Sequence, residues 1–260
     1  MQAGSLDVFP IWTLIPITLV IGAFSVEAGY RVAIWRKRRA KEHHSEAPTA
    51  PIVGATLGLL AFLVAFTFGS AASRFEERRQ AVLAESNAIN AAYLRAQMIP
   101  DPMSGNARNL LREYVDVRLT TTQTGQIAQG IAKSEELHKR MWGEAVAASQ
   151  KERSPMTSLF MSSLNDVFAL HEKRVTAAVY NRIPPMIWIG LYMLLVFAML
   201  VVGYYEGMNG TRHTLAVYGM VFAFSLVFAI IADLDRPGRG LLEVNQQSMV
   251  DLQKSMRDTP

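Results

Sequence analysis

The chain has 260 residues, half of them apolar, and its formal net charge is +4 at pH 7. It contains no cysteine, which excludes disulfide bonds, thiolate catalysis and cysteine-ligated metal sites. Four stretches lack acidic and basic side chains, and each approaches the roughly 20 apolar residues that cross a bilayer core of about 30 Å. These stretches are Val8–Val26, Pro51–Ser73, Ile183–Tyr205 and Thr214–Ala232. This distribution excludes an ordinary soluble enzyme and predicts an all-α, polytopic membrane protein with four transmembrane helices.

The first apolar stretch predicts a retained membrane helix within residues 1–35. A secretory signal has its positive charges before the apolar region, whereas here six Lys or Arg side chains follow it, within residues 31–50. A basic loop is predicted at 36–50. We expect Glu27, near the end of this span, to pair with Arg31 one helical turn later; the alternative is a pore-lining charge that favours cations.

The second span predicts the longest helix. No proline occurs between Thr56 and Met98, and forty-odd helical residues would measure about 60 Å, twice the membrane thickness. We therefore expect this helix to leave the bilayer near Ser73 and to continue into the hydrophilic insert that follows.

Two rows of side chains follow the membrane half of this helix. One is a ridge of small residues that would let helices approach closely in lipid: Gly54, Gly58, Ala61, Ala65, Gly69 and Ala72. The other is a row with larger apolar members: Ala55, Leu59, Phe62, Phe66 and Ser73. The phenylalanines either face lipid and neighbouring helices, as is usual, or face a symmetry axis, where apolar rings would form a narrow neck that gates by dewetting.

The insert at 74–182 predicts a helical extramembrane domain, because it is rich in Ala, Arg, Glu, Gln and Leu. Breaks are expected at Pro100-Asp101-Pro102 and, more weakly, at Gly125 and Gly130. Ser154-Pro155 predicts a capped helix start. From there an apolar row of helical spacing that includes Phe160, Leu164, Val167 and His171 predicts a helix to Arg182. We expect His138 and His171 to lie on the surface.

The block Leu59–Leu83, which reads LLAFLVAFTFGSAASRFEERRQAVL, resembles the second membrane helix of bestrophins. Its charged part, Arg74-Phe75-Glu76-Glu77-Arg78-Arg79, is similar to a family motif in that position. Asp233-Leu234-Asp235-Arg236-Pro237-Gly238 is similar to the acidic motif that follows the last bestrophin helix. The resemblance is strongest to the bacterial group described as bestrophin-like and covers roughly residues 51–100 and 180–245.

The resemblance implies a homopentameric ion channel with an axial pore. Its apolar neck would be formed by Phe62, Phe66 and Gly58, with Leu59 beside them. The glycine replaces a bulky family residue, which would shorten the constriction. Because the phenylalanine of the last motif and most of the acidic run after it are missing, no calcium site is implied.

Charged residues at the end of the second span are expected to form an interfacial salt-bridge cluster or, alternatively, a charged vestibule. They are Arg74, Glu76, Arg78 and Arg79, and they pair with Asp233 and Asp235 if the second and fourth spans end on the same side. The two adjacent histidines of the basic loop, His43 and His44, project in different directions and do not indicate a metal site.

These observations predict an oligomeric channel for small ions, either anions or monovalent cations. The alternative is a non-conducting scaffold or sensor whose helical domain binds a partner or ligand. No nucleotide-binding or hydrolase motif occurs, and Thr67, Ser70 and Ser225 are nearly the only polar side chains at midplane depth, so we expect no enzyme. We expect membrane lipid and inorganic ions as partners, with no metal, no cofactor and no nucleic acid.

The protein is expected in the cell (inner) membrane. The positive-inside tendency would leave the insert outside the cell, whereas the resemblance places the insert and both termini in the cytoplasm; we favour the latter. The predicted segments are 1–35 (first span), 36–50 (loop), 51–73 (second span), 74–182 (helical domain), 183–206 (third span), 212–233 (fourth span) and 234–260 (polar tail).

Overall fold

The computed structural model describes residues 10–39, 49–210, 212, 214–236 and 240–258. Within those ranges the chain forms eight helices and no strand: α1 (Ile11–Arg39), α2 (Ala50–Ala96), α3 (Met103–Thr124), α4 (Ile127–Lys151), α5 (Pro155–Val179), α6 (Pro185–Asn209), α7 (Thr214–Asp235) and α8 (Gln247–Asp258). Of the loop predicted at 36–50, residues 36–39 belong to α1 instead. Residues 40–48, with His43 and His44, lie outside the described residues, as does the Pro237-Gly238 pair. The predicted all-helical fold is confirmed.

The described residues divide into two compact units. The first contains residues up to 74, 182–236 and 240–242, and the second contains residues 75–181 and 243–258. Four helices are long and apolar enough to cross a membrane: Ile11–Arg39, Ala50–Ala96, Pro185–Asn209 and Leu215–Asp235. The number of candidate spans therefore matches the sequence prediction.

Glycines hold α1 and α6 together in the first unit. A Cβ atom built on Gly203 would strike the backbone carbonyl of Val26, and one on Gly29 would strike that of Leu200. The two helices therefore approach backbone to backbone, a contact that only glycine allows and that favours association in lipid. Gly22 similarly accommodates the side chain of Val221 on α7.

Helix α2 is the longest element, with 47 residues, or about 70 Å at 1.5 Å per residue. No proline occurs within it after Pro51, which explains its continuity. Of the four apolar windows, that of α2 is the least buried, with 17% of its residues inside. Most of this apolar window is therefore not covered by the described residues of the chain.

Local signals set the ends of the insert helices. Gly125 ends α3 in the left-handed conformation, at φ 68°, and its N–H donates to the carbonyl of Thr121. The Ser154 hydroxyl accepts a hydrogen bond from the backbone N–H of Thr157 at 3.2 Å and caps α5, with Pro155 at its first position. These expectations are confirmed.

Two details of the insert differ from the prediction. Gly130 does not interrupt a helix: it lies buried inside α4, where a Cβ atom would strike the side chain of Thr121 on α3. Helix α5 ends at Val179 rather than Arg182. The helix ends where the backbone N–H groups of Tyr180 and Asn181 both donate to the carbonyl of Thr176.

The second unit has its own apolar core. Tyr93, Tyr114, Phe160 and Leu137 are fully or almost fully buried there, contributed by α2, α3, α5 and α4. Helix α8 packs onto this core through Met249, Leu252 and Met256. The backbone carbonyl of Met256 accepts hydrogen bonds from the Tyr93 hydroxyl at 3.3 Å and from Arg112 Nε at 3.0 Å.

Candidate functional site

In the first unit, α2 directs the predicted neck residues away from its own chain. Phe62 and Phe66 are 66% and 69% exposed, and Leu59 and Gly58 are also exposed. The buried line of the same helix is formed by Leu60, Val64, Thr67 and Ala71.

Helix geometry separates these two faces. An α-helix turns about 100° per residue, so Phe62 lies about 200° around the helix from Leu60, and Phe66 lies equally far from Val64. The aromatic row is therefore opposite the face that packs within the unit. Such a row meets either lipid or another copy of the chain.

The predicted small-residue ridge is not packed within one chain. In the part of the chain that the structure describes, no neighbouring atom lies within 4 Å of a Cβ built on Gly54, Gly58 or Gly69, and Ala61 and Ala65 are exposed. The close contacts expected of such a ridge are made by other glycines of this unit, those between α1 and α6. The α2 ridge thus remains available to a partner outside the chain.

Exposure alone does not distinguish the α2 face. Phe24 on α1 and Phe197 on α6 are 74% and 53% exposed as well, as expected for side chains that face lipid. What distinguishes α2 is the combination of an aromatic row and an adjacent ridge of unpacked glycines. Isolated lipid-facing phenylalanines do not require such a ridge.

Asp235 organises the charges at the end of α7. Its carboxylate accepts hydrogen bonds from Arg182 Nε at 3.1 Å and from the backbone N–H of Ile183 at 3.0 Å. Arg74 Nη1 lies at 3.9 Å, an ion pair without a hydrogen bond. Arg74 and Asp235, which the sequence predicts to pair, thus lie together in the structure.

The other members of the predicted cluster have separate partners. The Asp233 carboxylate accepts hydrogen bonds from the backbone N–H groups of Leu241 and Leu242, at 2.8 and 3.0 Å. Glu76 forms an ion pair with Arg79 at 3.0 Å, while the buried Arg78 guanidinium lies 5.8 Å from the Phe75 ring centre. Among the described residues, no group of three or more His, Asp or Glu side chains could hold a metal ion.

Glu27 pairs with Arg31, as one of the two sequence interpretations expected. The distance from its carboxylate to Arg31 Nε is 2.9 Å, and Arg212 binds the other carboxylate oxygen at 2.8 Å. The Arg212 guanidinium also lies 5.1 Å from the centre of the Tyr30 ring.

The second unit contains a buried polar network that the sequence analysis did not identify. Its centre is Glu85 on α2, which is fully buried. The Tyr114 hydroxyl donates to Glu85 Oε1 and Arg174 Nη1 donates to Oε2, both at 2.6 Å. Arg118 Nε lies 3.2 Å from Oε1. Helices α2, α3 and α5 thus meet at one carboxylate.

Histidines extend this network. His171 Nδ1 lies 3.0 Å from the Tyr114 hydroxyl, whose only proton is already donated to Glu85. His171 Nδ1–H is therefore the donor in this hydrogen bond, and the Tyr114 oxygen accepts it. The His138 ring on α4 contacts His171 edge to face, with ring centres 4.8 Å apart.

The electrostatics of the network favour a charged Glu85 and a neutral His138. Burial opposes ionisation of Glu85, but nearby His171 and the charges of Arg118 and Arg174 hold its pKa well below the usual range. Burial and the charge of Glu85 raise the pKa of Tyr114 well above its ordinary value. Burial and the neighbouring His171 lower the pKa of His138 to about 4.

The expectation that His138 and His171 lie on the surface is wrong. His171 is fully buried and His138 is half-buried against the Phe168 ring, at 4.3 Å between ring centres. The sequence did contain a signal, because His171 belongs to the apolar row of α5. Glu85 likewise occupies the buried line of α2, between Val82 and Ile89.

Comparisons with known proteins identify the fold. A crystal structure of a bacterial bestrophin homologue from Klebsiella pneumoniae, carrying a point substitution, matches with a TM-score of 0.66 at 11% identity, over 95% of this chain and 98% of that one. A crystal structure described as a membrane protein, also with a point substitution, matches with a TM-score of 0.63 at 11% identity, over 95% of this chain and 97% of that one. No curated protein matches the sequence significantly. The sequence model of the Bestrophin-like domain matches residues 18–249, and the chain therefore belongs to the Bestrophin-like family.

Proposed function

We propose that the protein is an oligomeric ion channel, with an axial pore lined by α2 from several copies and an apolar neck at Phe62 and Phe66. The observation that carries the proposal is the orientation of α2 within its unit. Its aromatic row lies opposite its buried face, and no atom of the described residues covers the adjacent glycines. A ring of copies would cover the ridge and direct the aromatic row towards a common axis.

The family gives the finer details of the proposal. Five copies would surround the pore in the cell (inner) membrane, each crossing it four times. Small inorganic ions, either anions or monovalent cations, would pass through the neck. When the neck is narrow, its rings of bulky apolar side chains exclude water and stop the flow of ions. The proposal includes no catalytic role.

Planar bilayers with the purified full-length protein test the proposal. We expect ion currents in the wild type, and a larger conductance in Phe62→Ala/Phe66→Ala because the neck widens and becomes easier to wet. The matched control is Phe24→Ala/Phe197→Ala, which removes two exposed phenylalanines from other spans. The control should conduct like the wild type. Absence of current in both the wild type and the neck variant would refute conduction.

A second candidate function has one observation in its favour. The extramembrane part of α2 exposes Leu83 and Leu94, which are about half accessible, on a unit that has its own core. A non-conducting scaffold or sensor would use such a surface to hold a partner. If cross-linking shows that a second copy of the chain covers Leu83 and Leu94, the channel is favoured over this alternative.

A further inference from the structure

One end of the first unit carries a large excess of positive charge. It is the end at which α1 and α6 finish and α7 begins. Its described cations are Arg31, Arg36, Lys37, Arg38, Arg39 and Arg212, against the carboxylates Glu27 and Glu206. The other end of the same helices is nearly balanced, with Arg74, Arg182 and Arg236 against Asp233 and Asp235. The excess therefore belongs to one end only.

The two carboxylates at this end cannot balance the six cations among the described residues. The carboxylate of Glu27 is shared by Arg31 and Arg212. Lys37 Nζ donates to the backbone carbonyl of Met208, near the end of α6, at 2.7 Å. A carbonyl oxygen satisfies a hydrogen bond but contributes no full negative charge. The described residues of this end therefore keep a net positive charge, which an anion from the surroundings can balance.

The same end continues an exposed apolar stripe of α1. Val20, Phe24, Arg31, Trp35 and Arg38 lie within a sector of about 60°, at about 100° per residue. Val20 and Phe24 are strongly exposed, and Trp35 is 56% exposed. Along this stripe the apolar surface of Val20 and Phe24 is followed by the guanidinium groups of Arg31 and Arg38, with the Trp35 ring between them.

The dimensions of a bilayer fit this order. Twenty helical residues from Ile11 reach Tyr30, about 30 Å along the helix, which is the thickness of the hydrocarbon core. Arg31 and the residues after it then lie at the level of lipid phosphates. Trp35 would lie in the interface, where tryptophan is enriched, and the Arg39 guanidinium is stacked on its ring at 4.2 Å.

We propose that this stripe binds an anionic phospholipid. An acyl chain would lie along Val20 and Phe24, and the phosphate would be held by Arg38 and Arg39 beside Trp35. Guanidinium groups recognise phosphate oxygens in pairs. A zwitterionic headgroup adds an ammonium group that the cluster repels, so a headgroup of net negative charge is preferred. This binding does not depend on conduction and goes beyond the channel proposal.

Native mass spectrometry of the full-length protein in detergent tests the proposal, with phosphatidylglycerol and phosphatidylcholine of identical acyl chains as probes. The wild type should retain phosphatidylglycerol in preference. Arg38→Gln/Arg39→Gln should weaken phosphatidylglycerol binding roughly 30-fold, since each basic side chain near a membrane surface contributes about 1 kcal/mol. Arg38→Lys/Arg39→Lys, which keeps the charges, should retain most of the preference and shows that the segment is intact.

The control variant is Lys139→Gln/Arg153→Gln, which removes two exposed charges from the second unit and should bind lipid like the wild type. Inorganic phosphate should not displace the bound lipid, because it has no acyl chain to occupy the apolar part of the stripe. Equal retention of the two lipids by the wild type would overturn the proposal. An equal loss in the control variant, or displacement by inorganic phosphate, would also overturn it.

Discussion

Glu85 lies fully buried, and its carboxylate is the partner of two guanidinium groups, those of Arg118 and Arg174. In Glu85→Gln the shape is retained but both cations lose their counter-charge. Removing one partner from a buried ion pair costs roughly 3–5 kcal/mol, so we expect a large loss of stability. Thermal unfolding of the purified protein, followed by the fluorescence of Trp142 on α4, measures it.

The matched control for this substitution is Glu113→Gln. Glu113 also faces two cations, Lys133 and Arg140, at 3.6 and 3.5 Å, but all three side chains are substantially exposed. Exposed pairs contribute about 0–1 kcal/mol, so this variant should unfold almost like the wild type. Equal unfolding temperatures for the two variants would show that the buried network contributes no special stability.

The His138 ring makes the second unit sensitive to acid. Its pKa is lowered to about 4 in the folded chain from an ordinary value of 6.5. Between these values the unfolded chain binds a proton that the folded chain does not, so stability is complete above pH 6.5 and falls as the pH decreases towards 4. Protonation would add a charge beside His171, Arg118 and Glu85. Glu85, whose pKa is far lower, stays ionised throughout this range.

We therefore expect the unfolding temperature to decrease between pH 7 and pH 5. In His138→Phe this decrease should be clearly smaller, because phenylalanine preserves the contact with the Phe168 ring and cannot be protonated. Unfolding of both proteins at pH 7 and pH 5, by Trp142 fluorescence, gives the comparison. Parallel decreases in the two proteins would assign the acid sensitivity to other groups.

At the level of helices, the contact between α1 and α6 depends on Gly203. A methyl group there would strike the carbonyl of Val26, whereas one on Gly190 of the same helix meets nothing within 4 Å. Gly203→Ala should therefore separate the two helices and lower the unfolding temperature of the first unit. Gly190→Ala should be neutral or slightly stabilising, because alanine favours helix over glycine by about 1 kcal/mol.

Thermal unfolding in detergent, followed by the fluorescence of Trp188 on α6, distinguishes the two glycines. If both alanine variants unfold at the wild-type temperature, the close approach of α1 and α6 does not determine the stability of the first unit. A Gly203→Leu variant should be more unstable still, because the larger side chain forces a wider separation.

The helices themselves follow from local signals. The absence of proline predicts the continuity of α2, Ser154-Pro155 predicts the start of α5, and Gly125 predicts the end of α3, because each depends on a few neighbouring residues. The environment of Glu85 depends on residues of α3 and α5 that lie about 30 and 90 residues further along the chain and contact its carboxylate. The role of Gly203 likewise depends on α1. Contacts of this kind cannot be inferred from spacing along one helix.

The rows on α2 show what sequence periodicity can and cannot give. It correctly separates the phenylalanine row and the glycine ridge from the rest of the helix. Periodicity does not reveal that α1, α6 and α7 leave the phenylalanine row and the glycine ridge exposed, because that depends on where these helices pack. The assembly of several copies around an axis remains a prediction.

The whole molecule offers a convenient test of this prediction, since the chain contains no cysteine. Single cysteines can be introduced at Phe66 in the proposed neck and, as a control, at Phe24 on the exposed face of α1. A charged thiol reagent reacts only where water reaches the sulfur atom. A lipid-soluble reagent reacts with either position.

The most direct measurement is the current through Phe66→Cys channels in a planar bilayer before and after a charged thiol reagent is added. The account predicts that the reagent blocks or strongly alters the current in this variant and leaves the current of Phe24→Cys unchanged. If Phe66→Cys reacts only with the lipid-soluble reagent, and the current does not change, the side chain at 66 faces lipid and α2 does not line a pore.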